Sequence, residues 1–348
     1  MRWLIVGLAA LFALAPAQAK PLRPADLTST AAVLSWVSDY RHHPAPKDVP
    51  AALRALSRLG GLDHPEASGV YVGFLAGVLA SNPEKTEWLI AQCLRLPAQD
   101  RWIVVRAIAY SGLPQWKPML RSVAPRAERY DVLSEKYLDG KMATLAEFQV
   151  PPSPTGFERM RKHLHLDAVF GAPERRLILE PSPEVLDIVW GFYFATGGYG
   201  PVMHFIAMLP LSQDHDDADR LTVGSMAKYT LASNAMRDPE LLAMLKSSRQ
   251  ARGQPKQTAA ILADVIDAAE TVDTARIRKD ALAAIEEVRA KGPAYKRTVS
   301  WWGFLGQSAI AGGCIAAAAT GQVELGIPCV VGGATASAAL NFWNNSPD

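Results

Sequence analysis

An acidic cluster is the densest group of side chains in this sequence that could bind a metal ion. Oxygen-rich loops of this kind can bind calcium, but the twelve-residue calcium loop with a central glycine and a terminal glutamate is absent. The competing explanation is that the acids precede a helix over 220–231, where the macrodipole favours negative charge. The sequence predicts no cofactor, and the candidate metal ligands are Asp214, His215, Asp216, Asp217 and Asp219.

A possible nucleophile lies just downstream, in the Ser-x-x-Lys spacing of Ser225 and Lys228. This spacing is used by acylating enzymes, in which a helix holds the hydroxyl and the amine one turn apart so that the amine can act as a base. The companion Ser-x-Asn and Lys-Thr-Gly elements do not follow. The pattern therefore favours two residues on a solvated helix face over a catalytic pair, and we predict no catalytic residue.

Three cysteines allow one disulfide, and the spacing favours Cys314 with Cys329. Their midpoint lies in the turn 320–326, so an antiparallel helical hairpin would bring the two thiols together. Closing a loop of about fifteen residues would contribute about 3 kcal/mol. Cys93 lies in an apolar helical pattern and is expected to be a buried small hydrophobic residue.

Aromatic residues surround a flexible turn at 197–201 and could form the rim of a ligand groove. No strand precedes the glycines and no Lys-Ser or Lys-Thr follows them, so a phosphate loop is excluded. The competing explanation is that these aromatics are core residues. The candidate partner surface consists of Trp190, Tyr193 and Tyr199.

The elements that must position these groups are helices, because apolar residues recur three and four apart along most of the chain. Residues 70–80 are apolar on every side, which predicts a buried helix, and 101–110 form another that ends at a Gly-then-Pro stop. Residues 177–179 are the one candidate for a short strand. The segment from 70 resembles that from 185 in its order of helices, so we expect a helical repeat of the solenoid kind.

The first nineteen residues have the pattern of a secretion signal, with Arg2, an apolar stretch and a small-x-small site that predicts cleavage after Ala19. The formal net charge is +2, and loss of Arg2 leaves the mature chain nearly neutral. Nucleic acid is therefore not expected as a partner. The chain is 49% hydrophobic and 20% charged, which is typical of a globular protein.

The composition predicts five segments. Residues 1–19 are the signal peptide, 20–150 an N-terminal helical domain, 151–183 a Pro-rich connector, 184–292 a second helical domain, and 293–348 an Ala/Gly-rich hairpin. The hairpin has tryptophan near both ends, so residues 301–343 are a candidate membrane contact. Its weak hydrophobicity and the basic residues before it favour a packed hairpin over insertion, and a self-association surface is the third alternative.

The sequence thus predicts an all-α protein of stacked helical hairpins with a C-terminal disulfide-stapled hairpin. We expect an exported, periplasmic or secreted, non-catalytic interaction or scaffold protein whose partner is another envelope protein. The alternatives are a metal-dependent envelope hydrolase and a membrane-associated accessory protein that uses the C-terminal hairpin.

Overall fold

The computed structural model describes residues 26–127, 129–152, 177–280 and 283. Over these residues the protein is all-α and has thirteen α-helices and no strand, and the last helix begins at residue 274. Single 3-10 turns connect several of them. The first twelve helices are α1 Thr30–Asp39, α2 Val49–Arg58, α3 Gly69–Ser81, α4 Thr86–Cys93, α5 Trp102–Tyr110, α6 Trp116–Val123, α7 Asp131–Leu138, α8 Pro183–Thr196, α9 Tyr199–Met208, α10 Ala218–Ala235, α11 Pro239–Gln250 and α12 Lys256–Glu270.

Side-chain caps and a glycine set the ends of the helices that matter most for the site. Ser182 accepts a hydrogen bond from the backbone N–H of Val185 and is followed by Pro183 at the first position of α8. Gly197 ends α8 with a positive φ of 61°, a conformation that favours glycine. The chain therefore reverses within two residues and begins α9.

Helices α3 and α8 form the centre of the molecule and touch through their backbones. A Cβ atom added at Gly73 would lie 1.8 Å from the carbonyl oxygen of Ile188, and one added at Gly191 would lie 1.9 Å from that of Val70. Gly77 faces Ala195 in the same way. These glycines let the two helices approach more closely than any side chain would permit.

Other helices pack on this pair or on one another. Helix α5 packs on α3, α9 and α10 pack on α8, and α12 packs on both α10 and α11. Buried hydrophobic side chains from residues 27 to 277 form one continuous cluster. The described residues of the predicted halves 20–150 and 184–292 therefore share a single core.

Two helices lie where the sequence predicts them. The apolar helix predicted over 70–80 is α3, and the one predicted over 101–110 is α5. Residues 177–179 do not form a strand. They contribute one isolated parallel bridge, between Phe148 and Leu179.

Several predictions lie outside the described residues. These are the signal peptide and its cleavage after Ala19, most of the connector, the hairpin over 293–348 with Cys314 and Cys329, and the membrane contact over 301–343. Among the residues that are described, no helix is both long and apolar enough to cross a bilayer.

Thiol counting tests the predicted disulfide, because the third cysteine is buried in α4. Burial raises the pKa of the Cys93 thiol to about 12, although Arg54 opposes the shift. We expect iodoacetamide at pH 8 to label no cysteine of the native mature protein, one after denaturation, and three after denaturation with reductant. Mass spectrometry of the alkylated chain gives the count, and a Cys93→Ser control should lower the last two counts by one. Three labelled cysteines without reductant would show that Cys314 and Cys329 are free thiols.

Candidate functional site

Helix α9 presents the most unusual surface among the described residues. Its inner side packs into the core through Val202, Phe205 and Ile206, which are buried. Its outer side carries Tyr199 and Met203, which are 45% and 42% exposed. We call this outer side, with the exposed Gly200 and Ala207, the α9 face.

The α9 face carries no charge. No Asp, Glu, Lys or Arg occurs in the 26 residues from Ile188 to Gln213. The outward side of a helix in a globular protein is ordinarily charged or polar. Residues 199, 203 and 207 lie four apart and so occupy one side of the helix. The face is thus a short apolar row on the protein surface.

Hydrogen bonds and a ring contact hold this face in place. The Tyr199 hydroxyl lies 2.5 Å from Ser248 Oγ on α11, and Ser248 Oγ itself donates to the Met244 carbonyl at 2.8 Å. Tyr199 is therefore the donor to Ser248. His204 Nδ1 lies 3.0 Å from the Gly200 carbonyl oxygen, and the ring contacts Phe148 edge-on. Burial lowers the pKa of His204 despite the opposing bond to Gly200.

A buried ionic cluster supports the turn from which α9 starts. Arg41, in the 3-10 turn after α1, binds Asp238 at 2.6 Å and Glu240 at 2.5 Å. Tyr193 donates to Asp238 at 2.6 Å, and the Arg41 guanidinium lies over its ring. Burial and then Asp238 raise the pKa of Tyr193. Arg41 is also the nearest side chain to Gly197.

Comparisons with known protein families, curated proteins and solved structures found no significant match to this chain.

The three residues of the predicted partner surface occupy different environments. Trp190 is buried and donates its indole N–H to Thr230 Oγ1 at 3.1 Å. Tyr193 is buried in the ionic cluster. Of the three, Tyr199 alone is exposed, so a partner surface at this point would use Tyr199 with neighbours other than Trp190 and Tyr193.

The predicted acidic cluster surrounds the start of α10. Asp217 caps this helix by accepting hydrogen bonds from the backbone N–H groups of Asp219 and Arg220. Asp214 binds Arg220 at 2.7 Å, and Arg220 also donates to the Pro151 carbonyl. Burial and then Asp217 raise the pKa of Asp219.

The two remaining members of the cluster, His215 and Asp216, are exposed. No group of three or more His, Cys, Asp or Glu side chains within the described ranges is arranged to hold a metal ion.

The Ser-x-x-Lys pair lies on α10, and its amine has an acidic partner. Ser225 is buried, and Lys228 Nζ forms an ion pair with Asp264 of α12 at 3.1 Å. The ion pair of Lys228 with Asp264 joins α10 to α12, and the prediction of a solvated helix face was wrong for Ser225, which is buried.

Met203 was not among the residues selected from the sequence. The sequence did contain a signal for an uncharged surface at this residue. The uncharged run of 26 residues is longer than α8 and continues through all of α9. Apolar runs in the sequence indicate burial, and only the packing of α9 shows which side of this helix faces solvent.

Proposed function

We propose that this protein is an exported, non-catalytic helical interaction protein that binds another envelope protein through the α9 face. The observation that carries the proposal is the exposure of Tyr199 and Met203 on a helix face without charge. Exposed apolar groups that lie together on a surface are typical of contact sites.

The composition and rigidity of the face support this proposal. Tyrosine and methionine are enriched in protein–protein interfaces relative to the rest of the surface. Tyr199 is already fixed by Ser248, so binding would cost little side-chain entropy at this position. Aromatic side chains held in this way are the usual anchors of an interface.

The compartment and the finer architecture are part of the same proposal. The pattern of residues 1–19 supports export with cleavage after Ala19, to the periplasm or beyond the cell. An oxidising compartment would allow Cys314 and Cys329 to staple the C-terminal hairpin. The order α3–α4–α5 resembles α8–α9–α10, which supports a stack of two related halves.

Site-specific photo-cross-linking in cells of the native organism tests the proposal. A diazirine amino acid is placed at Met203, and a control carries it at Val132 of α7, which is 58% exposed. We expect the first variant to cross-link to one envelope protein, identified by mass spectrometry, and the control not to. Equal yields from both positions, or cross-links to lipid alone, would contradict a partner protein on the α9 face.

A further inference from the structure

A cluster of cations lies beside the α9 face, at the turn between α11 and α12. Residues 241–263 contain no aspartate or glutamate. All four of their cations are exposed. They are Lys246, Arg249, Arg252 and Lys256.

Three of these cations have no acidic partner in the part of the chain that the structure describes. Lys246 forms an ion pair with Glu270 at 2.5 Å, whereas Arg249, Arg252 and Lys256 form none. We call these three residues the cationic turn. Exposed charges of one sign without counter-charges create a local positive potential that attracts an acidic surface.

Helix dipoles explain only one member of the cationic turn. Arg249 lies in the last turn of α11, where a positive charge is favourable. Lys256 is the first residue of α12, where the dipole disfavours a cation, and the first turn of α12 contains no acid. Arg252 lies between the two helices. Local stability therefore does not account for the accumulation of charge.

The cationic turn is continuous with the α9 face through one hydrogen bond. Tyr199 donates to Ser248, which directly precedes Arg249. Arg252 lies two residues after the end of α11, in the turn that follows this helix. A single bound segment could therefore cover the exposed ring of Tyr199 and reach the guanidinium groups.

We propose that the partner covering the α9 face carries an acidic segment that pairs with the cationic turn; this inference rests on the function proposed above. Arginine, tyrosine and methionine are the side chains enriched in protein interfaces. An anionic bilayer fits less well, because membrane-surface helices need a broad apolar side, and α9 offers two large exposed apolar side chains. The partner segment is expected to contain several Asp or Glu residues near an apolar anchor.

The test combines the Met203 cross-linker with charge reversal. The variant Arg249→Glu/Arg252→Glu should lower the cross-linking yield at least tenfold, because it replaces two attractive contacts by two repulsive ones. The matched control is Arg121→Glu/Arg126→Glu, which makes the same charge change on and after α6, a helix that packs on α5 and α7. This control should leave the yield unchanged. The cross-linked partner peptide should contain an excess of Asp and Glu.

The possible failures are distinguishable. An unchanged yield in Arg249→Glu/Arg252→Glu, or a partner peptide without an acidic excess, overturns the inference and leaves the proposed function intact. Absence of a specific protein cross-link from Met203 overturns both. Binding of the purified protein to vesicles of phosphatidylglycerol and phosphatidylethanolamine, abolished by the same charge reversal, would overturn the inference in favour of a membrane. If that variant unfolds at a lower temperature than the parent, Arg249→Gln/Arg252→Gln replaces it, with an expected loss of at least threefold.

Discussion

The Gly73→Ala variant should lose about 3 kcal/mol or more of its unfolding free energy. The new methyl group would lie 1.8 Å from the Ile188 carbonyl oxygen, and no change of rotamer can relieve a contact between Cβ and backbone. The helices α3 and α8 would have to move apart, and the core between them would lose its packing. Urea denaturation followed by circular dichroism at 222 nm measures the loss.

A second glycine provides the matched control for this variant. Gly200 lies in α9, and a Cβ added there would meet nothing within 4 Å. Alanine has the higher helix propensity, so Gly200→Ala should leave stability unchanged or raise it by up to about 1 kcal/mol. A change in unfolding free energy of less than about 0.5 kcal/mol is typical of a surface site. If Gly73→Ala changes the unfolding free energy by no more than this, the backbones of α3 and α8 are not in contact as described.

The Arg41→Met variant should also be strongly destabilised, by about 3 kcal/mol. The side chains of Arg41 and Asp238 are only 7% and 14% exposed. Without the guanidinium, the Asp238 carboxylate remains largely buried and loses its ion pair with Arg41. It keeps the hydrogen bonds donated by the Tyr193 hydroxyl and the Leu241 backbone N–H. Equilibrium urea unfolding of purified protein gives the change in free energy.

An exposed ion pair is the control for the effect of burial on the unfolding free energy. Lys85 and Glu84 lie 3.2 Å apart, with side chains 46% and 63% exposed. The Lys85→Met variant should change the unfolding free energy by less than about 0.5 kcal/mol, since exposed ion pairs contribute little. Similar effects of Arg41→Met and Lys85→Met would mean that the Arg41 cluster is open to water.

The helices could be predicted because their signals are local. The apolar residues of α3 and the stop after α5 are each visible within a dozen residues of sequence, and the structure places both helices within one residue of the prediction. The same local signals cannot show that Gly73 touches Ile188 or that Arg41 binds Glu240, which is 199 residues away. Such pairs follow from how the helices pack.

The candidate site was predictable in part, for a similar reason. Trp190 and Tyr199 belong to one aromatic run, and residue type alone does not distinguish the buried ring from the exposed one. The difference arises because Gly197 reverses the chain between them, which places Trp190 inside α8 and Tyr199 at the start of a peripheral helix. The acidic residues before α10 could be interpreted either as ligands or as helix-terminal charges, and Asp217 does cap the helix.

The glycine contact between α3 and α8 also governs how the polypeptide can fold. Gly73 and Ile188 are 115 residues apart, so the side of α3 that faces α8 has no cover until the chain through α8 has been made. Contacts of such long range slow folding, because a large loop must close before they contribute. A fragment that ends before α8 would expose the side of α3 that α8 covers, and we expect it to aggregate. We therefore expect a chain cut within 153–176 to recover its structure only when both fragments are present together.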